Sequence, residues 1–457
     1  MKSFTKQIVA GIAGGLLTTG SMAVWGYPAA ALPQLEREDS KVHLTTEQAS
    51  WFASLTLMMS IPGPVIAASI YEKFGPRKMM LVLTPILCLS FMATSLASLE
   101  VMSTMGLAQI ILLSSRVAQG SAVALLISIL NVYVYEICGL GLRGIMVGLS
   151  EFWASLGYLI CYFLACFYSW DKVALIIPVA VIIPSFIGVV ISPESPLWLA
   201  RAGKAEEALE VFKKVRCNET EILLDQKVAS ETKKPQTCCK SLQILTKRCH
   251  LKAVVASCLI FILNQFTGFS IIAIYVVHIF DAAGVGLSPQ WSSVIVGLFR
   301  SVFAAVSGLI LHRAPRRLFL IVGCIFTGVA NGIIGIFFYL QYNGHDVSSL
   351  GWLPLFGLAL YMTGYSGSVG ATTWTSAVEV LPESVRSIGF GLGITSYSIT
   401  AFLLSKFFVD LKIIMGLYGI FWLFSCGSFV FALVTLFYIP ETLNKSLQDI
   451  RDYWEKH

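Results

Sequence analysis

The chain has 457 residues, 56% of them hydrophobic and only 13% charged, with a mean hydropathy of +0.76. Soluble domains average about 25% charged residues, so this composition excludes a water-soluble globular fold and requires lipid around the chain. The net charge of +6 is no nucleic-acid footprint, because the lysines and arginines sit where membrane topology needs them.

Apolar runs long enough to cross a bilayer, roughly 20 residues each, occur near 7–31, 49–71, 79–98, 105–135, 145–167 and 173–191. Six more follow near 253–280, 291–311, 318–341, 351–381, 388–409 and 414–439. The only long polar stretch lies between the two sets. The expected fold is therefore an all-α membrane protein of twelve transmembrane helices in two six-helix bundles, 1–192 and 253–439. A central cytoplasmic helical segment, 193–252, joins them, and a cytoplasmic tail, 440–457, follows. The first span, behind Lys2 and Lys6, is too long for a signal-peptide apolar region and reads as an uncleaved anchor.

With both termini inside, 25 of the 32 lysines and arginines fall in cytoplasmic segments, against Arg37, Lys41, Lys172 and Lys412 outside. The positive-inside rule thus fixes the orientation. It also places the glycosylation sequons at Asn218 and Asn444 in the cytoplasm, where they are not used. The eleven cysteines avoid the expected outer loops, so no disulfide framework is foreseen; Cys238 and Cys239 read as ordinary loop thiols rather than palmitoylation sites. His43, His250, His278, His312, His345 and His457 show no ligand spacing. No metal, cofactor or enzyme chemistry is expected.

The halves repeat weakly. EKFGPRK (72–78), YVYEICGLGLRG (133–144) and PESPLWL (193–199) reappear as HRAPRR (312–317), WTSAVEVLPESVR (374–386) and PETLNKSL (440–447). The order is kept and the offset is about 240 to 247 positions, as a duplicated six-helix unit requires.

Several short motifs, taken in order, carry a resemblance across nearly the whole chain. They are Arg116-xxx-Gly120, Tyr133-x-x-Glu136 with Arg143-Gly144, Pro193-Glu194-Ser195-Pro196, Gln265-x-x-Gly268, Trp374 with Glu379 and Arg386, and Pro440-Glu441-Thr442. The sequence resembles the sugar porter branch of the major facilitator superfamily. The GYPAAALPQL end of its first span (26–35) further resembles the insect facilitated trehalose transporter group. The short loops depart from the family's usual Asp followed by Gly-Arg. Glu72 stands in the first with Pro76 inserted, and His312 with Pro315 in the second, which so lacks its acid.

Charge placement suggests an inner gate. Glu72, Arg77, Glu136 and Arg143 lie at inner helix ends of one half, and Arg313, Arg316, Glu379 and Arg386 at those of the other. Opposite charges there are expected to clamp the bundles together, with Glu194 and Glu441 capping the network. Ion pairs of about 0 to 1 kcal/mol each bias a conformational equilibrium while leaving it reversible.

A sugar site needs amides, a few carboxylates and aromatic faces on helices that can break. In the seventh span Asn264, Gln265 and Ser270 surround Gly268. The tenth carries four glycines, ending at Gly370, ahead of Trp374, which the resemblance casts as the sugar-stacking ring. Tyr397 and Ser398 of the eleventh are carried over from the same pattern. Two charges inside spans depart from it. Counting from the motifs, Glu151 stands where the family usually has a sugar-binding Gln, and Arg300 where it often has Asn. A lone charge there costs roughly 2.5 to 3.5 kcal/mol on insertion scales, so a Glu151–Arg300 pair lining the substrate path is expected.

Proton-driven sugar porters have an Asp in the first span near an Arg at the head of the fourth. Arg116 is present here, but 7–31 contains no acid. The resemblance therefore implies uniport of a sugar, hexose or trehalose, by a plasma-membrane monomer that needs only its substrate and a lipid bilayer. A proton-coupled symporter and a transport-dead sensor of the same fold are the alternatives, and the short tail 440–457 speaks against the sensor.

Overall fold

The computed structural model describes residues 2–40, 42–100, 106–139, 146, 148–215, 248–284, 286–311, 313–382, 385–443, 445 and 447–456. Arg143, Cys238, Cys239, Asn218, Asn444 and His312 lie outside them.

The first half comprises α1 (Lys2–Leu35), α2 (Thr46–Met59), α3 (Gly63–Phe74), α4 (Pro76–Leu96), α5 (Ala108–Ile137), α6 (Ser150–Ala165), α7 (Trp170–Ile177) and α8 (Ile183–Ile191). Two short helices, α9 (Pro196–Arg201) and α10 (Ala205–Val215), follow. The second half comprises α11 (Arg248–Phe266), α12 (Phe269–Ala283), α13 (Pro289–Ile310), α14 (Arg316–Tyr342), α15 (Leu353–Gly364), α16 (Gly370–Glu379), α17 (Arg386–Lys406), α18 (Phe408–Tyr438) and a terminal α19 (Leu447–Lys456).

Among the described residues nine segments are long and apolar enough to cross a membrane, and α2 with α3, bent by 42°, makes a tenth. The other two expected spans are shorter or less apolar. The fifth is described over the sixteen residues of α6, and glycines and hydroxyls dilute the α15–α16 span. The α2–α3 bend falls at Pro62 and Pro64, where missing N–H groups end one helix and start the next.

Three further spans depart from a regular helix part-way along. Wide turns join α7 to α8 across Pro178–Ile182 and α15 to α16 across Tyr365–Val369. The seventh span breaks at Gly268, whose φ of +93° suits glycine and whose missing side chain leaves room for the Phe424 ring. Such breaks are tolerated where protein rather than lipid surrounds the backbone.

The duplication foreseen from the motifs is also a duplication of packing. α1 packs on α6 as α11 packs on α17, and α4 on α5 as α14 on α15. With no hydrophobic drive between helices in lipid, close backbone approach supplies the packing. Gly120 brings α5 onto Thr56 of α2, where a Cβ would lie 2.7 Å from its Cα. The halves meet through α6 on α13, α2 on α17 and α1 on α12. Near one end of the α6–α13 contact, a Cβ on Gly148 would lie 2.6 Å from the Gly308 carbonyl oxygen, and one on Gly308 2.4 Å from that of Gly148. The end carrying both termini is termed inner below, and the opposite end outer.

Candidate substrate cavity and helix-end networks

Glu151, in the first turn of α6, meets Arg300 of α13. Arg300 Nη2 donates to Glu151 Oε1 at 3.1 Å, joining the two halves. The guanidinium carbon lies 4.0 Å from the centre of the Tyr158 ring and 4.7 Å from that of Phe269, two rings that meet edge to face at 6.1 Å. Cation–π contact offsets part of its desolvation. Phe269 stacks on Tyr365 at 4.2 Å, and Tyr365 on Tyr361 at 5.9 Å. Three stacked rings of the second half, Phe269, Tyr365 and Tyr361, thus meet the guanidinium and the Tyr158 ring of the first half in one buried cluster.

The amides lie beside this cluster. Ser270 Oγ donates to Gln265 Oε1 at 2.6 Å, and Asn264 Nδ2 donates to Thr373 Oγ1 at 3.1 Å while its Oδ1 accepts from Tyr365 at 3.4 Å. Asn331 of α14 donates to the Thr267 carbonyl at the helix break. Trp374 is partly exposed and packs on Phe261 (5.0 Å), Tyr397 (5.6 Å) and Phe390 (6.3 Å). Ser398 is buried next along α17. A Cβ on Gly370 would lie 3.5 Å from Glu151 Oε1. Tyr158, Phe269, Tyr361 and Tyr365 were not singled out from the sequence. Helical spacing could have found Tyr158, seven residues beyond Glu151 on α6; Phe269 lies past the break at Gly268, where that spacing no longer holds.

Arg116 is fully buried in the first half. It donates to the carbonyls of Phe52 (3.1 Å) and Val24 (3.0 Å) and to Gln119 Oε1 (2.7 Å), with the Phe52 ring 4.8 Å away. Among the described residues no carboxylate forms an ion pair with it.

The chain matches the family model for sugar (and other) transporters over residues 7–454. It belongs to the sugar transporter family. Among relatives, the facilitated trehalose transporter Tret1-2 homolog of Drosophila sechellia is 28% identical over 454 residues, covering 97% of this chain and 90% of that protein. Trehalose transporter 1 of Drosophila melanogaster is 27% identical over 439 residues, and the chain spans only about half (50%) of its length. Among solved structures, the inward open conformation of the xylose transporter XylE from E. coli gives a TM-score of 0.79, with 18% identity and 99% of both chains covered. The proton:xylose symporter XylE bound to 6-bromo-6-deoxy-D-glucose gives 0.75, again at 18% identity and 99% of both chains. At that identity the likeness shows a shared fold.

At the inner end of this sugar transporter Arg143 lies outside the described residues, and the described partners of the other expected gate charges are as follows. Each pair described there stays inside one half. In the first, Glu136 accepts from Arg201, Tyr71 (2.6 Å) and Ser195. In the second, Glu379 accepts from Thr442 at 2.5 Å and lies 3.4 Å from Arg316 Nε, close enough for attraction but off hydrogen-bond geometry. Arg386 reaches the Leu381 carbonyl at the end of its own loop, and the Glu72 and Arg313 side chains are exposed. The physical reason is proximity: the Pro-Glu-Ser and Pro-Glu-Thr turns fold back under their own bundles and reach the acids first.

Glu194 and Glu441 act as caps, but of helices. Glu194 accepts from the Arg77 backbone N–H at 3.0 Å, at the start of α4. Glu441 accepts from those of Arg316 (2.9 Å) and Arg317 (3.1 Å), at the start of α14. A carboxylate at a helix N-terminus satisfies orphan donors and opposes the macrodipole. Pro76 and Pro315 fit there, since a helix start has no use for their missing N–H. Burial lifts the Glu194 carboxyl above its usual range, against the amides of Arg77 and Ser195 and the charges of Arg77 and Lys78. Arg77 donates to the Val189 and Val190 carbonyls at the end of α8. Its counterpart in that role is Arg317, which donates to those of Thr435 and Leu436. Sequence reading chose Arg313 and Arg316 and missed it, because three arginines within five residues look alike.

Proposed function

We propose that this protein is a uniporter that carries a neutral sugar, hexose or trehalose, down its gradient by alternating access. The two bundles, 1–192 and 253–439, rock about the cavity, in which Glu151, Asn264, Gln265, Ser270, Arg300, Gly370, Trp374, Tyr397 and Ser398 contact the substrate. Segments 193–252 and 440–457 face the cytoplasm, and the working unit is a monomer in the plasma membrane.

The observation that carries uniport is the surroundings of Arg116. Three oxygens of neutral groups take the donors of its Nε and Nη1, Nη2 has no partner, and among the described residues no carboxylate pairs with it to gain and lose a proton during the cycle. Glu151 is already engaged by a cation that does not deprotonate in proteins.

Uptake of labelled glucose and trehalose into liposomes containing the purified protein tests this. Sugar should equilibrate across the membrane with or without an imposed proton gradient. Accumulation above equilibrium when the outside is acidified would make it a symporter, and binding without uptake would make it a sensor.

A further inference from the structure

The Glu151–Arg300 contact is incomplete as an ion pair. A guanidinium has five donors and a carboxylate two oxygens, and the strongest pairs meet in two parallel hydrogen bonds. Here only Nη2 meets Oε1. Arg300 Nε and Nη1 are buried without any acceptor, as is Gln265 Nε2 in the adjoining wall. Tyr158 and Phe269 pack against the guanidinium as two rings set edge to face and give Nε and Nη1 no hydrogen-bond acceptor. Glu151 keeps 17% of its side-chain surface exposed while Arg300 keeps 4%.

The pair therefore presents an acceptor and a donor side by side, each with capacity left over. Their polarity is fixed, because a carboxylate only accepts and a guanidinium only donates. An amide can serve a hydroxyl either way round and so tolerates a substituent change. A carboxylate ligand would satisfy Arg300 but meet the charge of Glu151. One isolated hydroxyl can donate to Glu151, but it then offers a single oxygen to the two unpaired guanidinium nitrogens, Nε and Nη1. Two adjacent hydroxyls satisfy both residues, the first donating to Glu151 and its neighbour accepting from Arg300.

We infer that Glu151 and Arg300 form a fork for a vicinal diol and set the specificity of this transporter for sugars with two free neighbouring hydroxyls. This rests on the sugar-transport reading above and adds to it which part of the sugar is selected. Hydrogen bonds to charged groups are the stronger kind, so removing either hydroxyl should cost roughly 10-fold or more in half-saturation.

The test is counterflow of labelled glucose in liposomes, competed by 2-, 3-, 4- and 6-deoxyglucose and by glucuronate. Two analogues deoxygenated at adjacent carbons should compete at least 10-fold more weakly than glucose, with the others within about 3-fold. In the Glu151→Gln, Arg300→Gln double variant, the ratio between glucose and those two analogues should fall below about 3. A purely structural pair would lower the rate for every sugar and leave the ratios intact. The wild-type panel decides the matter even where the variant fails to fold. Equal competition by all deoxy forms, or glucuronate competing better than glucose, overturns the fork while leaving sugar transport standing. A wild type that moves neither glucose nor trehalose overturns both readings.

Discussion

The two ends of the molecule use charge differently. At the outer end the halves touch through unlike contacts. Glu36 of the α1–α2 connection meets His278 of α12 at 3.0 Å, the Lys406 ammonium lies 4.3 Å over the Trp51 ring, and Ser50 donates to the Lys406 carbonyl at 2.6 Å. Nearby, Tyr162 donates to the Ala273 carbonyl at 2.8 Å. At the inner end the described ion pairs, Glu136 with Arg201 and Glu379 with Arg316, each lie within one half and tie helix ends to their own connecting turns. The difference teaches that charge at a helix terminus does not by itself mark a gate. A movable boundary is better served by several weak contacts of different kinds, and a rigid body by charge-assisted bonds within it.

The largest effect expected belongs to the midplane, where the two uses of charge meet. Arg300→Ala leaves Glu151 without its cation in a nearly dry site and should destabilise the protein by about 3 to 5 kcal/mol, the usual cost of breaking a buried pair from one side. Thermal unfolding of the purified protein would show it. The Glu151→Gln, Arg300→Gln double variant should lose much less than the two single variants combined; additive losses would mean that the residues do not interact.

Next come the inner networks. Glu136→Gln and Glu379→Gln should each cost about 1 to 3 kcal/mol. Because they serve separate halves, their effects should add to within about 0.5 kcal/mol. Coupling above about 1 kcal/mol would restore the clamp between bundles that the motifs suggested.

The outer contacts should be weaker. Glu36→Gln should loosen closure by about 0.2 to 1 kcal/mol, read as a several-fold faster reaction of a cysteine placed at Gln34 with an impermeant thiol reagent. His278→Gln should add nothing once Glu36 has gone. A full effect of the second change on top of the first would break the pairing.

The smallest expected effect lies at Glu194 and depends on pH. Its carboxyl is raised, so the fold favours the protonated form. That contribution is complete at pH below the unfolded carboxylate range and fades as pH climbs through the raised value. Wild-type stability should therefore fall slightly as pH rises through that value, and Glu194→Gln, which keeps an acceptor for the Arg77 N–H, should flatten the slope. An unchanged slope in the variant would assign it to another group.

Much of this was legible in the chain. Hydropathy gave the helices, the repeated motifs gave the duplication, and Gly268 with its polar neighbours marked the broken seventh span. Glu151 and Arg300 stood out because unpaired charge in a span is costly enough to need a reason. The aromatic cluster around Arg300 was hidden, since Tyr158, Phe269 and Tyr365 have the same local signature as any packed ring in an apolar helix. The partners of the inner charges were hidden too. Glu136 lies 65 positions from Arg201, and Glu379 63 positions from both Arg316 and Thr442, so only the folded chain decides which cation or hydroxyl arrives first. Pro62 and Pro64 were in plain view, yet an unbroken apolar run concealed the bend that they make.

The contact between Gly148 and Gly308 carries a mechanical consequence. Interlocked side chains must leave their rotamer wells before two helices can slide, and each such step adds friction to the motion. Here bare peptide groups meet, with nothing to disengage, so this contact can act as a smooth bearing on which α6 and α13 turn. A single added methyl group on either residue would act as a shim, holding the inner ends of those helices apart and jamming the cycle near one extreme.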